Sequence, residues 1–217
     1  MRKAKLLFIM AMACCQMWAQ KTSVCSPDSL LKVDVTIDGG RPSYSVTYNG
    51  KVFLEPSPLG FVADVGDFSR DMTLSDSKTR NINESYTLDR IKKSTVTYTA
   101  NELKVSLANK ENKTVDVTFR VSNNDIAFRY EIPRYGETGS IVINNEATGF
   151  NFPIQTTTFL TPQSDAMVGW KRTKPSYEEE YVADASLTAR SKFGHGFTFP
   201  CLFRVGGDGW VLIVRLA

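Results

Sequence analysis

The chain has 217 residues, of which 42% are hydrophobic and 23% are charged, a composition that supports one sizeable buried core. The net charge is +3, and the 26 basic and 23 acidic residues are interspersed along the chain. A nucleic-acid-binding protein usually concentrates its basic residues in a patch or stripe, so this distribution argues against nucleic acid as a partner.

The first nineteen residues have the features of an export signal. Basic residues at the start precede a short apolar run, Leu6 to Cys15, which is too short to span a bilayer well. Cleavage after Ala19 is expected, so residues 1–19 are predicted to be a signal peptide and residues 20–217 the mature domain. Lipoprotein cleavage before Cys14 is the alternative, although the residue three positions earlier is not the leucine of a good lipobox. No later apolar run has the length of a transmembrane helix, and we expect an exported protein.

Strict alternation of apolar and polar residues begins soon after this segment. Leu31 to Ile37 and Pro42 to Tyr48 alternate, with the turn residues Asp38-Gly39-Gly40 between them. Asn49-Gly50 favours a type I′ turn into a third strand, Lys51 to Leu54. The short turns predict that these three strands form a meander.

The rest of the chain continues the β pattern with only a few interruptions. Further strands are predicted at Thr95 to Ala100, Leu103 to Leu107, Thr114 to Val121, Ile126 to Ile132, Ser140 to Asn144 and Trp210 to Val214. The polar, weakly patterned stretch from Asp67 to Arg90 predicts a long excursion, and Glu178 to Arg190 has room for one helical turn. Many strands joined by short turns indicate an all-β protein, either a sandwich or a barrel.

Two cysteines, Cys25 and Cys201, remain after cleavage at Ala19. Export permits a disulfide, but the sequence leaves open whether the two meet or stay separate as small hydrophobic residues. A Cys-x-x-Cys or Cys/His cluster is absent from the sequence, so a structural zinc site has no support.

An ordered set of short phrases runs along nearly the whole mature chain. It comprises Cys25 to Asp28, Tyr44 to Gly50, Leu54 to Gly60, Asn124 to Tyr130, Glu146 to Pro153, Tyr177-Glu178 with Tyr181, and Phe199-Pro200 through Ile213. This set resembles the N-terminal domain of glycoside hydrolase family 97. The resemblance implies an elaborate antiparallel β-sandwich of the mutarotase-like type. It also implies that the domain precedes a (β/α)₈ catalytic barrel in a periplasmic, calcium-dependent α-glucosidase or α-galactosidase.

Catalytic residues are not expected within this chain. Glycoside hydrolysis needs two carboxylates that flank the scissile bond, and in the resembled family these lie on the barrel. The strand at Trp210 to Val214 runs almost to the last residue, where the family usually continues with an acidic strand end and a long chain. We therefore expect a domain that stops before its barrel and has no hydrolytic activity alone.

The segment Trp170 to Tyr181 carries the candidate site residues. By resemblance to a Tyr-Glu-x-x-Tyr pattern, Glu178 is predicted to donate a carboxylate to a Ca²⁺ ion shared with the barrel, since Ca²⁺ prefers oxygen ligands. Its neighbours Glu179 and Glu180 fill the variable positions, and a solvated acidic loop is the alternative for all three. Trp170 and Tyr177 are candidates for stacking on an oligosaccharide substrate, with packing in the core or between domains as the alternative.

Other functions remain open at this stage. The chain could be a free-standing carbohydrate-binding or adhesion module without hydrolase activity, or a purely structural exported sandwich. His195, the only histidine, lies between glycines and has no orienting partner that the sequence identifies, so a catalytic role for it is not expected.

Overall fold

The computed structural model describes residues 19–90, 92, 94–137, 139–164 and 179–215. These residues form antiparallel sheets and contain no helix, which confirms the all-β fold. In chain order the strands are β1 (Gln20–Cys25), β2 (Leu31–Asp38), β3 (Arg41–Tyr48), β4 (Lys51–Pro58), β5 (Phe61–Ala63), β6 (Gly66–Asp67), β7 (Thr73–Thr87), β8 (Thr95–Ala108), β9 (Thr114–Val121), β10 (Ile126–Glu131), β11 (Ile143–Glu146), β12 (Thr157–Phe159), β13 (Ala185–Ser186), β14 (Cys201–Val205) and β15 (Gly209–Ile213).

The first sheet is the predicted meander, extended by one strand at its edge. Its order is β1-β2-β3-β4, and Val35 of β2 lies directly opposite Tyr44 of β3. The turn residues Asn49 and Gly50 both have positive φ, as a type I′ turn requires. Alternation along β2 buries its odd-numbered residues, from Leu31 to Ile37, on one face of the sheet.

The second sheet differs from the prediction in two strands. Its order is β10-β9-β8-β7. The two strands expected at 95–100 and 103–107 are one continuous strand, β8, because Asn101 and Glu102 stay in register with β7 and β9. The excursion expected from Asp67 to Arg90 contains the long edge strand β7. Its side chains are almost all exposed, so it shows no apolar alternation.

The two sheets pack face to face as a sandwich, which confirms the predicted architecture. Tyr44 of the first sheet contacts Phe119 and Phe128 of the second, with ring centroids 5.8 and 5.6 Å apart. The Tyr44 hydroxyl donates to the carbonyl of Gly149 at 3.1 Å, and burial raises the pKa of this phenol above its usual range. The side chains of β2, β8 and β9 that point between the sheets are almost fully buried.

Two smaller sheets complete the fold. One has the order β11-β5-β6, and the other, which we call the C-terminal sheet, has the order β13-β12-β14-β15. The C-terminal sheet joins the core through Phe203, which stacks on Phe152 at a centroid distance of 4.1 Å. From Glu179 to Arg190 the described residues form turns and β13, with no helical turn.

Three further observations bear on the sequence predictions. Cys25 and Cys201 are both free thiols, so no disulfide joins them. The strand expected at Ser140 to Asn144 begins later, at Ile143, and pairs with β5. A helix with the length and hydropathy of a membrane span does not occur among the residues that the structure describes.

Candidate functional site

The three predicted site residues, Trp170, Tyr177 and Glu178, lie outside the described residues. The structure does place the residues on either side of that stretch. Ser164 is buried, and its hydroxyl donates to the Glu179 carboxylate at 3.3 Å. Ser164 and Glu179, the described residues on either side of that stretch, are therefore in contact. The next carboxylate, Glu180, is exposed.

Metal-binding geometry is absent from the described portion of the molecule. No group of three or more His, Cys, Asp or Glu side chains in residues 19–164 and 179–215, apart from the gaps noted above, is close enough to hold an ion. Glu178 is not among the residues searched, so its role as a calcium ligand remains a prediction. His195 is exposed in a loop between Gly194 and Gly196, both with positive φ.

A cluster of aromatic rings around one arginine lies on the outer face of the C-terminal sheet. Antiparallel pairing aligns Thr157 of β12, Arg204 of β14 and Trp210 of β15 in one row across the sheet. The Arg204 guanidinium lies over the ring of Trp210, 5.7 Å from its centroid, and over the ring of Phe159 at 5.9 Å. The two rings are 5.2 Å apart and tilted by 46°. These distances are typical of cation–π and aromatic contacts.

An acidic residue from the loop before β13 holds the arginine in place. Asp184 forms an ion pair with Arg204 and accepts a hydrogen bond of 2.6 Å from the Thr157 hydroxyl. Asp184 has a φ of 54°, a conformation that aspartate adopts more readily than most residues. The same loop contributes Tyr181, whose ring lies 6.4 Å from Phe159. The segment that follows Glu178 is therefore attached to this sheet by an ion pair and a ring contact.

Large apolar side chains on this face are unusually open to solvent. The exposed fractions are 52% for Trp210, 58% for Leu212 and 57% for Val214. Tyr181 is 57% exposed, and its neighbour Val182 also projects into solvent. We call the surface formed by Phe159, Tyr181, Arg204, Trp210, Leu212 and Val214 the aromatic face.

The sequence predicted strand β15 but not this cluster. Arg204 and Asp184 were not among the predicted site residues, because each is an ordinary residue for its local pattern. The only signal was an arginine at an outward-facing position in an otherwise apolar strand, Cys201 to Val205. That signal does not identify Asp184, which is twenty residues away in sequence and meets Arg204 only through the sheet.

A second cluster, formed by charged residues, covers the outer face of the second sheet. Glu102 is 5% exposed and accepts hydrogen bonds from Arg80 at 2.5 Å and Arg120 at 2.6 Å. The Arg80 hydrogen bond and, after it, the Arg120 hydrogen bond hold the pKa of Glu102 below its usual range, against the opposing effect of burial. Beside it, Lys104 bridges Asp116 and Glu131 at 2.8 and 2.9 Å.

This charged cluster borders an open depression of about 510 Å³. Its acidic and basic groups neutralise one another within the described residues. Each carboxylate in this cluster forms an ion pair with an arginine or a lysine, so the cluster offers no pair of unpaired carboxylates for acid–base chemistry. The cluster is best explained as an ion-pair network that stabilises the sheet.

Comparison with known proteins identifies the family. Residues 24–214 match the family described as glycosyl-hydrolase 97 N-terminal. The match covers nearly all of the chain, and the chain belongs to this family of N-terminal glycoside hydrolase domains. The resemblance inferred from the sequence is thereby confirmed.

Two curated relatives are α-galactosidases. The chain is 29% identical over 134 residues to a probable retaining α-galactosidase of Streptomyces bingchenggensis, and 30% identical over 135 residues to a retaining α-galactosidase of Bacteroides thetaiotaomicron. These matches cover 62% and 60% of this chain, but only 20% and 19% of the respective relatives. The chain thus matches about a fifth of the length of each of these enzymes.

Solved structures agree with this assignment. A β-arabinopyranosidase is 54% identical, with a TM-score of 0.83, over 89% of this chain and 31% of the other. A family 97 enzyme from Pseudoalteromonas sp. strain K8, solved in complex with panose, is 23% identical, with a TM-score of 0.72, over 85% of this chain and 27% of the other. At that identity the second likeness concerns the fold alone.

Proposed function

We propose that this chain is the N-terminal domain of an exported exo-glycosidase that removes terminal sugars of galactose-like configuration from oligosaccharides. The domain packs on a (β/α)₈ catalytic domain, which supplies the catalytic carboxylates, and it forms a section of the rim of the sugar pocket. The observation that carries the proposal is the family match over residues 24–214, together with relatives that are about three times as long as this chain.

The substrate class is argued from the chemistry named for the relatives. Two of them are α-galactosidases and one is a β-arabinopyranosidase. An α-D-galactopyranoside and a β-L-arabinopyranoside carry the same arrangement of ring substituents and differ in the exocyclic hydroxymethyl group. One pocket geometry can therefore accept both, whereas a glucoside has its 4-hydroxyl in the opposite orientation. A site built to bind a hydroxyl strongly rejects a ligand that leaves its polar groups unpaired.

Glu178 is the proposed contribution of this domain to a Ca²⁺ site shared with the catalytic domain. Carboxylate oxygens are ligands that this ion prefers, and the run Glu178 to Glu180 supplies them. Glu179 accepts a hydrogen bond from the Ser164 hydroxyl. Trp170 and Tyr177, in the same segment, are proposed to contact the substrate by stacking on its apolar face.

A chimera makes this proposal testable. Residues 20–214 replace the N-terminal domain of the 54% identical β-arabinopyranosidase, and Glu178→Gln is compared with Glu180→Gln in that background. We expect Glu178→Gln to weaken calcium affinity, measured by calorimetry, by about tenfold or more, since it removes a charged ligand. Glu180→Gln should leave the affinity unchanged. Equal calcium affinity in the two variants would refute the role of Glu178 and leave the domain assignment intact.

A second candidate function is a carbohydrate-binding module that acts without a barrel. The observation in its favour is the pair of exposed rings, Trp210 and Tyr181, on one face of the C-terminal sheet. Titration of residues 20–217 with galactosides and malto-oligosaccharides decides between the two. Binding to the isolated chain that Trp210→Ala abolishes supports the module, and the absence of binding supports a site that forms only with the catalytic domain.

A further inference from the structure

We infer that the aromatic face is the surface that the catalytic domain of the same enzyme covers, with Trp210 as its central anchor. This inference rests on the proposed function, because it takes the chain to be one domain of a longer glycosidase. It adds the location of the interface and the residues that form it.

The exposed apolar area on this face requires a partner. Single exposed apolar side chains are ordinary, but a contiguous apolar patch marks an interaction site. Leu212 projects from the same side of β15 as Trp210 and Val214, and all three are more than half exposed. Tyr181, whose ring contacts Phe159 of β12, extends the patch across the sheet. Apolar surface in contact with water is energetically unfavourable, and a partner that covers this face removes the apolar surface from water.

The composition and the internal contacts of the aromatic face also suit a surface that becomes buried in an interface. Trp, Tyr and Arg are the residue types enriched at the centres of protein interfaces. An arginine buried without a partner would oppose association, but Asp184 already neutralises Arg204. The stacked guanidinium and the neighbouring Phe159 hold the Trp210 ring in place, so less side-chain freedom is lost when a partner binds.

Chain continuity favours the catalytic domain as the partner. The family is described as N-terminal, and this chain covers only 31% of the β-arabinopyranosidase, so the larger part of such an enzyme lies outside this domain. The family match ends at residue 214, at the end of β15. The polypeptide that follows in such enzymes starts at the edge of the aromatic face. A short connection usually places consecutive units next to each other.

The residues that directly follow Glu178 in sequence agree with this placement. Glu179 contacts Ser164, and Tyr181 packs on Phe159 of the face itself. A domain that covers the aromatic face would therefore come close to Tyr181, three residues after Glu178 in sequence. A shared site at the edge of this interface is what the proposed function requires.

The test compares hydrogen exchange in the isolated chain, residues 20–217, and in the chimera. We expect amides from Trp210 to Ile213 and from Tyr181 to Ser186 to exchange about tenfold or more slowly in the chimera, while those of β7 exchange equally in both. Trp210→Ser should lower the unfolding temperature of the chimera more than that of the isolated chain, where it removes only the contacts with Arg204 and Phe159. Tyr86→Ser, which alters an aromatic of similar exposure on β7, is the matched control and should affect both proteins equally.

The outcomes separate this inference from the proposed function. An active chimera with unprotected β15 amides would overturn the inference and leave the domain assignment standing. Protection of the face in the isolated chain at high concentration would assign it to a second copy of this chain instead. Protection by galactosides alone would assign it to sugar. A correctly folded chimera that does not hydrolyse glycosides would count against the proposed function itself.

Discussion

At the scale of single residues, the buried carboxylate of Glu102 offers a direct test of the second sheet. Two arginines from neighbouring strands hydrogen-bond to it, and it is 5% exposed. We expect Glu102→Gln to lower the free energy of unfolding by about 1–2 kcal/mol, because hydrogen bonds to a charged acceptor are replaced by weaker ones. Glu84→Gln, an exposed carboxylate on the same face of β7, is the control and should have little effect. Denaturant unfolding measures both variants.

The pH dependence of this effect has a definite sign. Because the folded protein lowers the pKa of Glu102, its stabilising contribution is present above the ordinary value of 4.5 and is lost as pH falls through the folded value. The difference between wild type and Glu102→Gln should therefore be complete at neutral pH and shrink in acid, below about pH 4.5. A difference that grows on acidification would contradict the assigned ion pairs.

Gly50 and Gly60 both have positive φ, but only Gly60 lies close to other atoms. Alanine substitution at the two positions therefore distinguishes the cost of backbone strain from the cost of a steric clash. A Cβ on Gly60 would lie 2.4 Å from the Phe68 carbonyl oxygen, whereas a Cβ on Gly50 would meet nothing within 4 Å. We expect Gly50→Ala to cost about 1 kcal/mol from its backbone conformation alone, and Gly60→Ala to cost about 3 kcal/mol or more. Denaturant unfolding measures both variants, and equal losses in the free energy of unfolding would show that Gly60 does not approach Phe68 this closely.

At this scale the sequence predicted residue types better than residue partners. The Asn49-Gly50 turn was predictable because its chemistry is local. Gly60 and Phe68 are close only after β5 turns back on the following loop, and Arg204 meets Asp184 only across the C-terminal sheet. Such pairings depend on the tertiary arrangement, which local patterns do not contain.

At the scale of elements, the hairpin of β7 and β8 extends beyond the sandwich. Pairing of β8 with β9 ends at Asn101, whereas its pairing with β7 continues from Ala100 to Thr95. In this distal segment, a single face of the hairpin carries only Ser, Thr and Asn side chains, at positions 83, 85, 87, 95, 97 and 99. A two-stranded ribbon without a covering layer is marginally stable in water.

This geometry predicts uneven protection along one strand. Amides in the distal hairpin, from Thr95 to Thr99, should exchange much faster than those from Leu103 to Leu107, which have strand neighbours on both sides and a buried face. Hydrogen exchange of the isolated chain tests this directly. Uniform protection along β8 would mean that another surface covers the hairpin.

The hairpin also explains which elements the sequence could predict. Strands β2, β3 and β9 alternate because one face of each is buried. Strand β7 lies at the sheet edge, and almost every one of its side chains is exposed. Because neither face of the strand needs apolar residues, its sequence resembles that of a loop. The interruption expected at Asn101 and Glu102 is absent because Glu102 is buried as an ion pair rather than exposed in a turn.

At the scale of the whole molecule, the described residues combine a buried hydrophobic core with one apolar surface that is exposed to solvent. The sandwich between the two large sheets is fully packed, whereas the outer side of the C-terminal sheet exposes the aromatic face. The proposed catalytic domain, covering this face, would account for the asymmetry. The sequence alone predicted the family and the sandwich, but it did not predict the aromatic face, since Trp210 to Val214 is a continuous apolar run of the kind found in a strand buried on both faces.

We propose that this chain supplies a non-catalytic domain of a glycosidase and not its catalytic residues. Hydrolysis of p-nitrophenyl α-D-galactopyranoside and p-nitrophenyl β-L-arabinopyranoside, by residues 20–217 alone and by the chimera, tests it most directly. We expect turnover by the chimera and no turnover above buffer by the isolated chain. Turnover by the isolated chain would contradict it, because the catalytic residues would then lie among these 217.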